Sequence, residues 1–215
     1  MALLNIAESI ACTTVEGPGR RFALWVQGCI LRCPGCCNPQ LLRLEPRRIV
    51  DSSVVIEWVA ESRARHSIEG ITFLGGEPML QARGLAEVAR ASRDLGLSVI
   101  VFTGYRLEEL RVKAFPGTLE LLAVTDVLVD GPYLNERPEV VRNWVGSENQ
   151  QFHYLTNKYE CSIELDSDFR RGVELRITMD GYIRLNGWPA DVGGPDQRGR
   201  PRAARMRSSL GGPES

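Results

Sequence analysis

Strand-like and helix-like stretches alternate from residue 22 to residue 131 of the chain. Continuous apolar runs, which are typical of buried strands, occur at residues 22–28, 70–74, 98–104 and 125–131. Apolar positions spaced for one helix face, or for a short helical turn, occur at residues 52–65, 80–95, 106–114 and 118–123. Because uninterrupted apolar strands are typical of parallel sheets covered by helices, this pattern predicts an α/β fold.

Polar and glycine residues mark the ends of these elements. Ser52 or Ser53 is suited to cap the first helix, and Gly96 to end the second. Each apolar run leads into a polar or glycine-rich loop. Since parallel α/β folds place their chemistry at the carboxyl ends of the strands, we expect the functional residues in these loops.

The pattern changes after residue 145. Residues 150–156 are suited to a further strand, and 173–189 to a hairpin that turns at Asp180-Gly181. Residues 191–215 are rich in Gly, Pro, Arg and Ser and are expected to be disordered. The predicted parts are a partial-barrel domain at 1–156, a strand and hairpin extension at 157–190, and a tail at 191–215.

The number of strand–helix units limits the fold further. A closed eight-unit β/α barrel needs roughly 250 residues, whereas this chain has 215 residues in all. The sequence therefore predicts a partial TIM-type β/α barrel of parallel strands, with a C-terminal β-hairpin extension. An incomplete barrel leaves a lateral opening that is wide enough for a polypeptide loop.

Composition and charge exclude several classes of protein. The chain is 43% hydrophobic and 25% charged, with a formal net charge of -1, so it lacks the basic field of a nucleic-acid-binding protein. It has no apolar run near the roughly 20 residues that span a bilayer and no signal-peptide pattern at its N-terminus. We therefore expect a cytoplasmic protein with neither nucleic acid nor membrane as partner.

The six cysteines are the strongest chemical signal. Four of them fall within residues 29–37, and Cys29, Cys33 and Cys36 have the spacing C-x3-C-x2-C. Three thiolates can hold three irons of a [4Fe–4S] cluster and leave the fourth iron open, whereas ferredoxin-type clusters use four cysteines. A structural zinc site, which needs four ligands, and a disulfide framework are the alternatives. This tight group in a reducing compartment favours the cluster.

This spacing, on the loop after the first strand, resembles the signature of the radical S-adenosylmethionine (SAM) superfamily. With Gly28, Asn38 and Pro39 around it, the segment is similar to the activating enzymes of glycyl-radical enzymes, and the Gly75-Gly76-Glu77-Pro78 loop is a second match. The segments VFTGY, DVLVDGPY and GS-x-NQ are most similar to the activating group for anaerobic ribonucleotide reductases. Two positions differ, since Cys37 replaces a usual His and Val145 a common Arg.

The resemblance implies a reaction and its residues. Cys29, Cys33 and Cys36 would hold the cluster, and an external one-electron donor such as flavodoxin or ferredoxin would reduce it. Reductive cleavage of SAM would then yield a 5′-deoxyadenosyl radical that takes the α-hydrogen of a glycine in a partner glycyl-radical enzyme. Glu77 would orient SAM by contact with the amino group of SAM. The residues expected to bind SAM are Asn38, Gly75, Gly76, Glu77, Pro78, Thr103 and Asp130.

Other interpretations remain open at this stage. Leu80-Gln81 after the GGEP loop also occurs in radical SAM enzymes that act on small molecules, such as deazapurine synthases, and some short members modify peptides. A non-catalytic iron–sulfur or zinc protein is the alternative of another class. Asp126 is as well suited to a cap or turn as to function, and His66 and His153 are expected to be ordinary surface or edge residues.

Overall fold

A computed structural model describes residues 1–112, 115–169, 172–177 and 183–187 of the chain. Its strands are β1 (Leu3–Thr13), β2 (Arg21–Val26), β3 (Ile49–Asp51), β4 (Gly70–Gly75), β5 (Ser98–Phe102), β6 (Val127–Asp130), β7 (Gln151–Tyr154), β8 (Val173–Ile177) and β9 (Ile183–Gly187). Its α-helices are α1 (Ser52–His66), α2 (Ala82–Asp94), α3 (Leu107–Val112) and α4 (Thr118–Leu122).

Seven strands form one sheet in the order β3-β1-β2-β4-β5-β6-β7. Its centre, β2-β4-β5-β6, is parallel throughout, whereas β1, β3 and β7 each pair antiparallel with a neighbour. The four parallel strands confirm the predicted α/β class and a mostly parallel sheet. The strand β7 lies within the range 150–156 that was predicted as a further strand. Within the described ranges this sheet is open, with β3 and β7 at its edges.

The sequence did not predict β1. This strand buries Leu4, Ile6 and Ile10, but its register on β2 shifts between Ile6 and Glu8 and again between Ile10 and Thr13. An irregular register interrupts the strict alternation by which a half-buried strand is recognised. The strand matters because Asn5 on it accepts a hydrogen bond from the Gln27 N–H, 2.8 Å away, just before the cysteine loop.

The first helix begins at Ser52, the start of the predicted range 52–65, but its N-cap is the residue before it. The Asp51 carboxylate accepts a hydrogen bond from the Ser53 N–H at 2.9 Å. The proposed caps Ser52 and Ser53 are therefore the first two helical residues, and the capping prediction was wrong. The helix ends at His66, and its C-cap Ser67 has a left-handed φ of +50°.

Alternate residues of the parallel strands pack on opposite faces of the sheet. Leu24, Phe73 and Val99 lie in the main core with buried residues of α1 and α2, whereas Ile100 and Val129 belong to a smaller cluster on the other face. The smaller cluster continues into partly buried aromatic side chains, Phe102, Phe152 and Tyr154. One face is thus sealed by helices, and the other is partly open and aromatic.

A fully buried arginine crosses the amino-terminal ends of three parallel strands. Arg21 is 0% exposed, and its guanidinium donates to Thr72 Oγ1 at 2.7 Å, to Ser98 Oγ at 3.0 Å and to the hydroxyl of Tyr159 at 3.1 Å. Further donations reach the carbonyls of Pro18, Ile71 and Ser98. Desolvation lowers the Arg21 pKa, so these acceptors are what make burial of the cation tolerable.

The C-terminal strands β8 and β9 pair antiparallel with each other. They contact the connection between β1 and β2, where the Gly187 N–H donates to Glu16 Oε1 at 2.8 Å and Glu174 Oε1 accepts from the Thr14 N–H at 2.8 Å. The predicted turn at Asp180-Gly181 and the tail at 191–215 lie outside the described residues. No helix within those residues is both long and apolar enough to span a bilayer.

Arg21→Ala is expected to lower the free energy of unfolding by about 3 kcal/mol, because several buried acceptors lose their donor at once. Arg20→Ala is the matched control, since Arg20 is half exposed and its Glu69 partner is 3.7 Å away; its cost should stay within about 1 kcal/mol. Urea unfolding of both variants measures the difference. Equal costs for the two variants would contradict the assigned role of Arg21.

Candidate active site

The cysteine loop leaves the carboxyl end of β2 and closes on itself. The Gly28 N–H donates to the Leu41 carbonyl at 2.9 Å, and the Cys29 N–H donates to the Leu42 carbonyl at 3.3 Å. Gly28 has a φ of +98°, a left-handed conformation that favours glycine. All three motif cysteines therefore lie on one closed loop, at the edge of the sheet where the chemistry was expected.

The environment of the motif cysteines fits thiolate ligands. Burial raises the pKa of Cys29, but the backbone N–H groups of Arg32 and Leu31 donate to its sulfur and partly offset that effect. Cys33 and Cys36 are half-buried and close a tight turn, in which the Cys36 N–H donates to the Cys33 carbonyl at 3.1 Å. Within the described ranges the cysteine side chains do not converge into a ready-made metal-binding group, but thiols on one loop, with N–H donors at Cys29, are the ligand type of an iron–sulfur cluster.

The departure at Cys37 places a fourth thiol beside the motif. A hydrogen bond from Cys37 lowers the pKa of the Cys36 thiol to about 6, which favours its thiolate form. Cys37 itself is exposed, and Asn38 Nδ2 donates to its sulfur at 3.5 Å. Asn38 therefore lies next to this extra thiol, at the start of a 3₁₀ turn over Pro39–Leu41.

The GGEP loop at the end of β4 is joined directly to the cysteine loop. The Gly76 N–H donates to the Val26 carbonyl and the Glu77 N–H to the Gly28 carbonyl, each at 2.8 Å. A Cβ on Gly76 would lie 2.3 Å from the Gly28 carbonyl oxygen, and one on Gly75 would lie 2.7 Å from the Val26 nitrogen. Both glycines are thus required for the contact between the two loops, and not only for approach to a ligand.

Glu77 is buried, and its carboxylate is held by the protein. It is 1% exposed, and it accepts hydrogen bonds from the Met79 N–H at 2.9 Å, Thr103 Oγ1 at 2.7 Å and the Gly104 N–H at 2.9 Å. Desolvation raises its pKa to about 7, although these hydrogen bonds oppose the shift. Glu77 therefore joins the ends of β4 and β5, while Pro78 beside it begins a 3₁₀ turn.

The loop after β5 reaches the cysteine loop as well. Thr103 is 5% exposed and bonded to Glu77. A Cβ on Gly104 would lie 2.4 Å from Cδ1 of Leu31, a residue of the cysteine loop. Nothing in the sequence singles out Leu31, because its contact with Gly104 depends on how the fold brings the two loops together.

Asp130 ends β6 and holds its neighbours in place. Its Oδ2 accepts the Leu107 N–H at 2.7 Å, at the first residue of α3, and lies 2.8 Å from His153 Nε2. His153 lies on the edge strand β7, as expected of an edge residue. It is also the partner of a buried carboxylate, which the sequence did not indicate. A pairing of this kind between β6 and β7 is set by their register and leaves no signal in sequence spacing.

Asp126 serves the opposite end of the sheet. Its carboxylate accepts hydrogen bonds from the Val99 N–H at 2.8 Å and from Arg93 at 2.7 Å. It precedes β6, so it lies away from the strand ends that carry the cysteine and GGEP loops. Of the two interpretations left open for Asp126, the structure favours the structural one.

Gln81 is a residue of this region whose structural role the sequence did not indicate. Its Oε1 accepts the Asn5 N–H at 2.7 Å, and its Nε2 donates to the Gln27 carbonyl at 3.0 Å. It thus ties the turn after the GGEP loop to β1 and to the residue before the cysteine loop. In the sequence, Gln81 stands out only because Leu80-Gln81 after the GGEP loop resembles enzymes that act on small molecules.

Comparison with known proteins matches the same part of the chain. The family model described as "4Fe-4S single cluster domain" matches residues 15–153. An anaerobic ribonucleoside-triphosphate reductase-activating protein of Salmonella typhi is 33% identical over 66% of this chain and 92% of its own length. The protein of the same name from Escherichia coli (strain K12) is 30% identical over 71% of this chain and 99% of its own. The pyruvate formate-lyase 1-activating enzyme of that strain is 32% identical over 69% of this chain and 61% of its own.

The burial of Glu77 generates a prediction about pH. The pKa of Glu77 is about 7 in the folded protein, against an ordinary value of 4.5. Between pH 4.5 and pH 7 its carboxyl group therefore binds more protons in the folded state than in the unfolded state. It therefore destabilises the fold increasingly as pH rises from about 4.5 to 7, by about 3 kcal/mol in all.

Glu77→Gln removes this titration, so the melting temperature of the wild type relative to the variant should fall as pH rises from 5 to 7. Thermal unfolding under anaerobic conditions at several pH values measures the difference. Glu69→Gln, at an exposed side chain, is the control and should leave the difference flat. A constant offset between wild type and Glu77→Gln would contradict the predicted titration.

Proposed function

Because this chain belongs to the 4Fe-4S single cluster domain family, we propose that it is a radical SAM enzyme that activates a glycyl-radical enzyme. The similarity to activating proteins covers about 70% of the chain and nearly all of the Escherichia coli relative. The family match at residues 15–153 includes the cysteine loop and the loops after the next three parallel strands. The observation that carries the proposal is a three-cysteine loop bonded through its backbone to the GGEP loop at the strand ends.

Cys29, Cys33 and Cys36 are proposed to hold three irons of a [4Fe–4S] cluster. When bound, the cluster supplies one electron that breaks the carbon–sulfur bond of SAM, giving methionine and a 5′-deoxyadenosyl radical. The chain's own part is to fix the thiolates, to leave one iron free of protein, and to keep water from the strand ends. Burial of Cys29 and the N–H donors to its sulfur support this assignment.

The SAM site is proposed to lie over the loops that follow β2, β4, β5 and β6. Glu77 and Asp130 support it chiefly by setting loop positions, since the contacts of both carboxylates are with the protein. Glu77 stays a candidate for the amino group of SAM, because its Oε2 accepts one hydrogen bond from the described residues, that of the Gly104 N–H, and a carboxylate oxygen can accept a second. The residues proposed to bind or shape the SAM site are Asn38, Gly75, Gly76, Glu77, Pro78, Thr103 and Asp130.

The hydrogen donor is proposed to be a glycine on a loop of the partner protein. The open sheet fits a partial barrel with a lateral entrance, and the partly buried Phe102, Phe152 and Tyr154 supply an apolar wall on its accessible face. The glycine loses its α-hydrogen to the radical, which becomes 5′-deoxyadenosine, and the partner retains the glycyl radical. A cytoplasmic flavodoxin or ferredoxin is the proposed source of the electron.

Replacing any one of Cys29, Cys33 and Cys36 by Ala should abolish the production of 5′-deoxyadenosine, because the two remaining thiolates do not retain the cluster. The assay uses anaerobically reconstituted protein, SAM and dithionite, with product measured by chromatography. Cys161→Ala, at an exposed thiol, should behave as wild type. Zinc in the purified protein, or a reconstituted wild-type cluster that leaves SAM intact, would overturn the proposal.

The choice of partner has its own test. The reconstituted protein is incubated with SAM and either an anaerobic ribonucleoside-triphosphate reductase or a pyruvate formate-lyase, and the glycyl radical is quantified by electron paramagnetic resonance. We expect a radical on the reductase, because relatives of that activating type align over nearly their whole length. Deoxyadenosine without a radical on either protein would indicate another substrate.

A further inference from the structure

We propose that residues 131–150, between β6 and β7, form a clamp that holds the Cys33–Cys36 turn in place from outside the cysteine loop. This clamp segment contains the GPY and GS-x-NQ motifs, to which the proposed reaction assigns no role. The inference rests on the cluster of the proposed function. It makes Asn135 and Asn149 positioning residues rather than residues that touch SAM.

The clamp segment contacts the turn at Gly35. This glycine has a φ of +76°, and a Cβ on it would lie 2.8 Å from Oδ1 and 3.2 Å from Cβ of Asn135. The Tyr133 hydroxyl lies 3.5 Å from the same Asn135 oxygen.

The clamp segment is itself pinned by its second motif. Asn149 Nδ2 donates to the Pro132 carbonyl at 2.7 Å, and Gln150 Nε2 donates to the Gly131 carbonyl at 3.3 Å. Ser147 is fully buried, and its Oγ accepts the Leu134 N–H at 3.1 Å. Three consecutive parts of the loop that ends in Asn135 are thus fixed by side chains 13 to 19 residues further along the chain.

This arrangement gives the turn a support that its own hydrogen bonds do not supply. The cysteine loop is closed by bonds from Gly28 and Cys29, which lie at its start, whereas Cys33 and Cys36 are further along and partly exposed. Side chains that orient ligands contribute to metal affinity without touching the metal. Loosening the clamp should therefore release iron more readily, with little change in the rest of the fold.

Asn149→Ala tests the proposal at a distance from the cysteines, and Asn143→Ala is its matched control. Asn143 also lies in the clamp segment, and its side-chain amide also donates to backbone carbonyls, but those belong to Ile163 and Asp166, away from the 131–135 loop. Asn149→Ala removes one hydrogen bond of this kind and Asn143→Ala removes two, so the control is the more demanding substitution. The Asn149→Ala variant should release iron to a chelator about tenfold faster than wild type, while Asn143→Ala should stay within about twofold of it.

Asn135→Ala is the second variant, and it protects the test against misfolding because Asn135 is exposed. It should accelerate iron release in the same direction as Asn149→Ala. A readout without the cluster is hydrogen–deuterium exchange of the apo full-length chain, in which both variants should raise exchange at residues 33–36 and leave β2 and β4 unchanged.

The clamp is refuted if wild type, Asn149→Ala and Asn135→Ala release iron at equal rates, or if Asn143→Ala accelerates release as strongly as Asn149→Ala. Either result leaves the proposed function standing, because it concerns retention and not SAM cleavage. Conversely, a wild-type cluster that is retained but does not cleave SAM would defeat the proposed function alone.

Discussion

The whole site depends on a close contact between two backbone segments. The N–H groups of Gly76 and Glu77 reach the carbonyls of Val26 and Gly28, which joins the loop after β4 to the root of the cysteine loop. Such a contact excludes any side chain at Gly76, since a Cβ would overlap the Gly28 carbonyl. Thr103 is placed relative to this junction through Glu77, whereas Asp130 is held separately by Leu107 and His153.

The buried carboxylates near the strand ends share a structural task. Glu77 links β4 to β5, and Asp130 links β6 to α3 and to His153 on β7. A carboxylate can accept several hydrogen bonds at once, so one side chain can hold loops from separate elements together. Removing a carboxylate from water is costly, and the raised pKa of Glu77 reflects that cost. The strand ends are thus aligned by side chains of the protein itself.

Support for the cysteines comes from both directions. The GGEP loop and Leu31 fix the start of the loop against β4 and β5, while the segment between β6 and β7 reaches the turn at Gly35. The cysteine loop is thus anchored to the sheet at its start and to the segment between β6 and β7 at its turn.

Sequence by itself determined the α/β class and the parallel strands, and it singled out three cysteines as candidate ligands, because these depend on residue type, periodicity and local spacing. Tertiary structure decided the irregular strand β1, the pairing of His153 with Asp130 and the contact of Glu77 with the end of β5. It also brought Asn135 to Gly35, a hundred residues apart in the chain. Such contacts depend on strand register and on distances in space, which the order of the residues does not reveal.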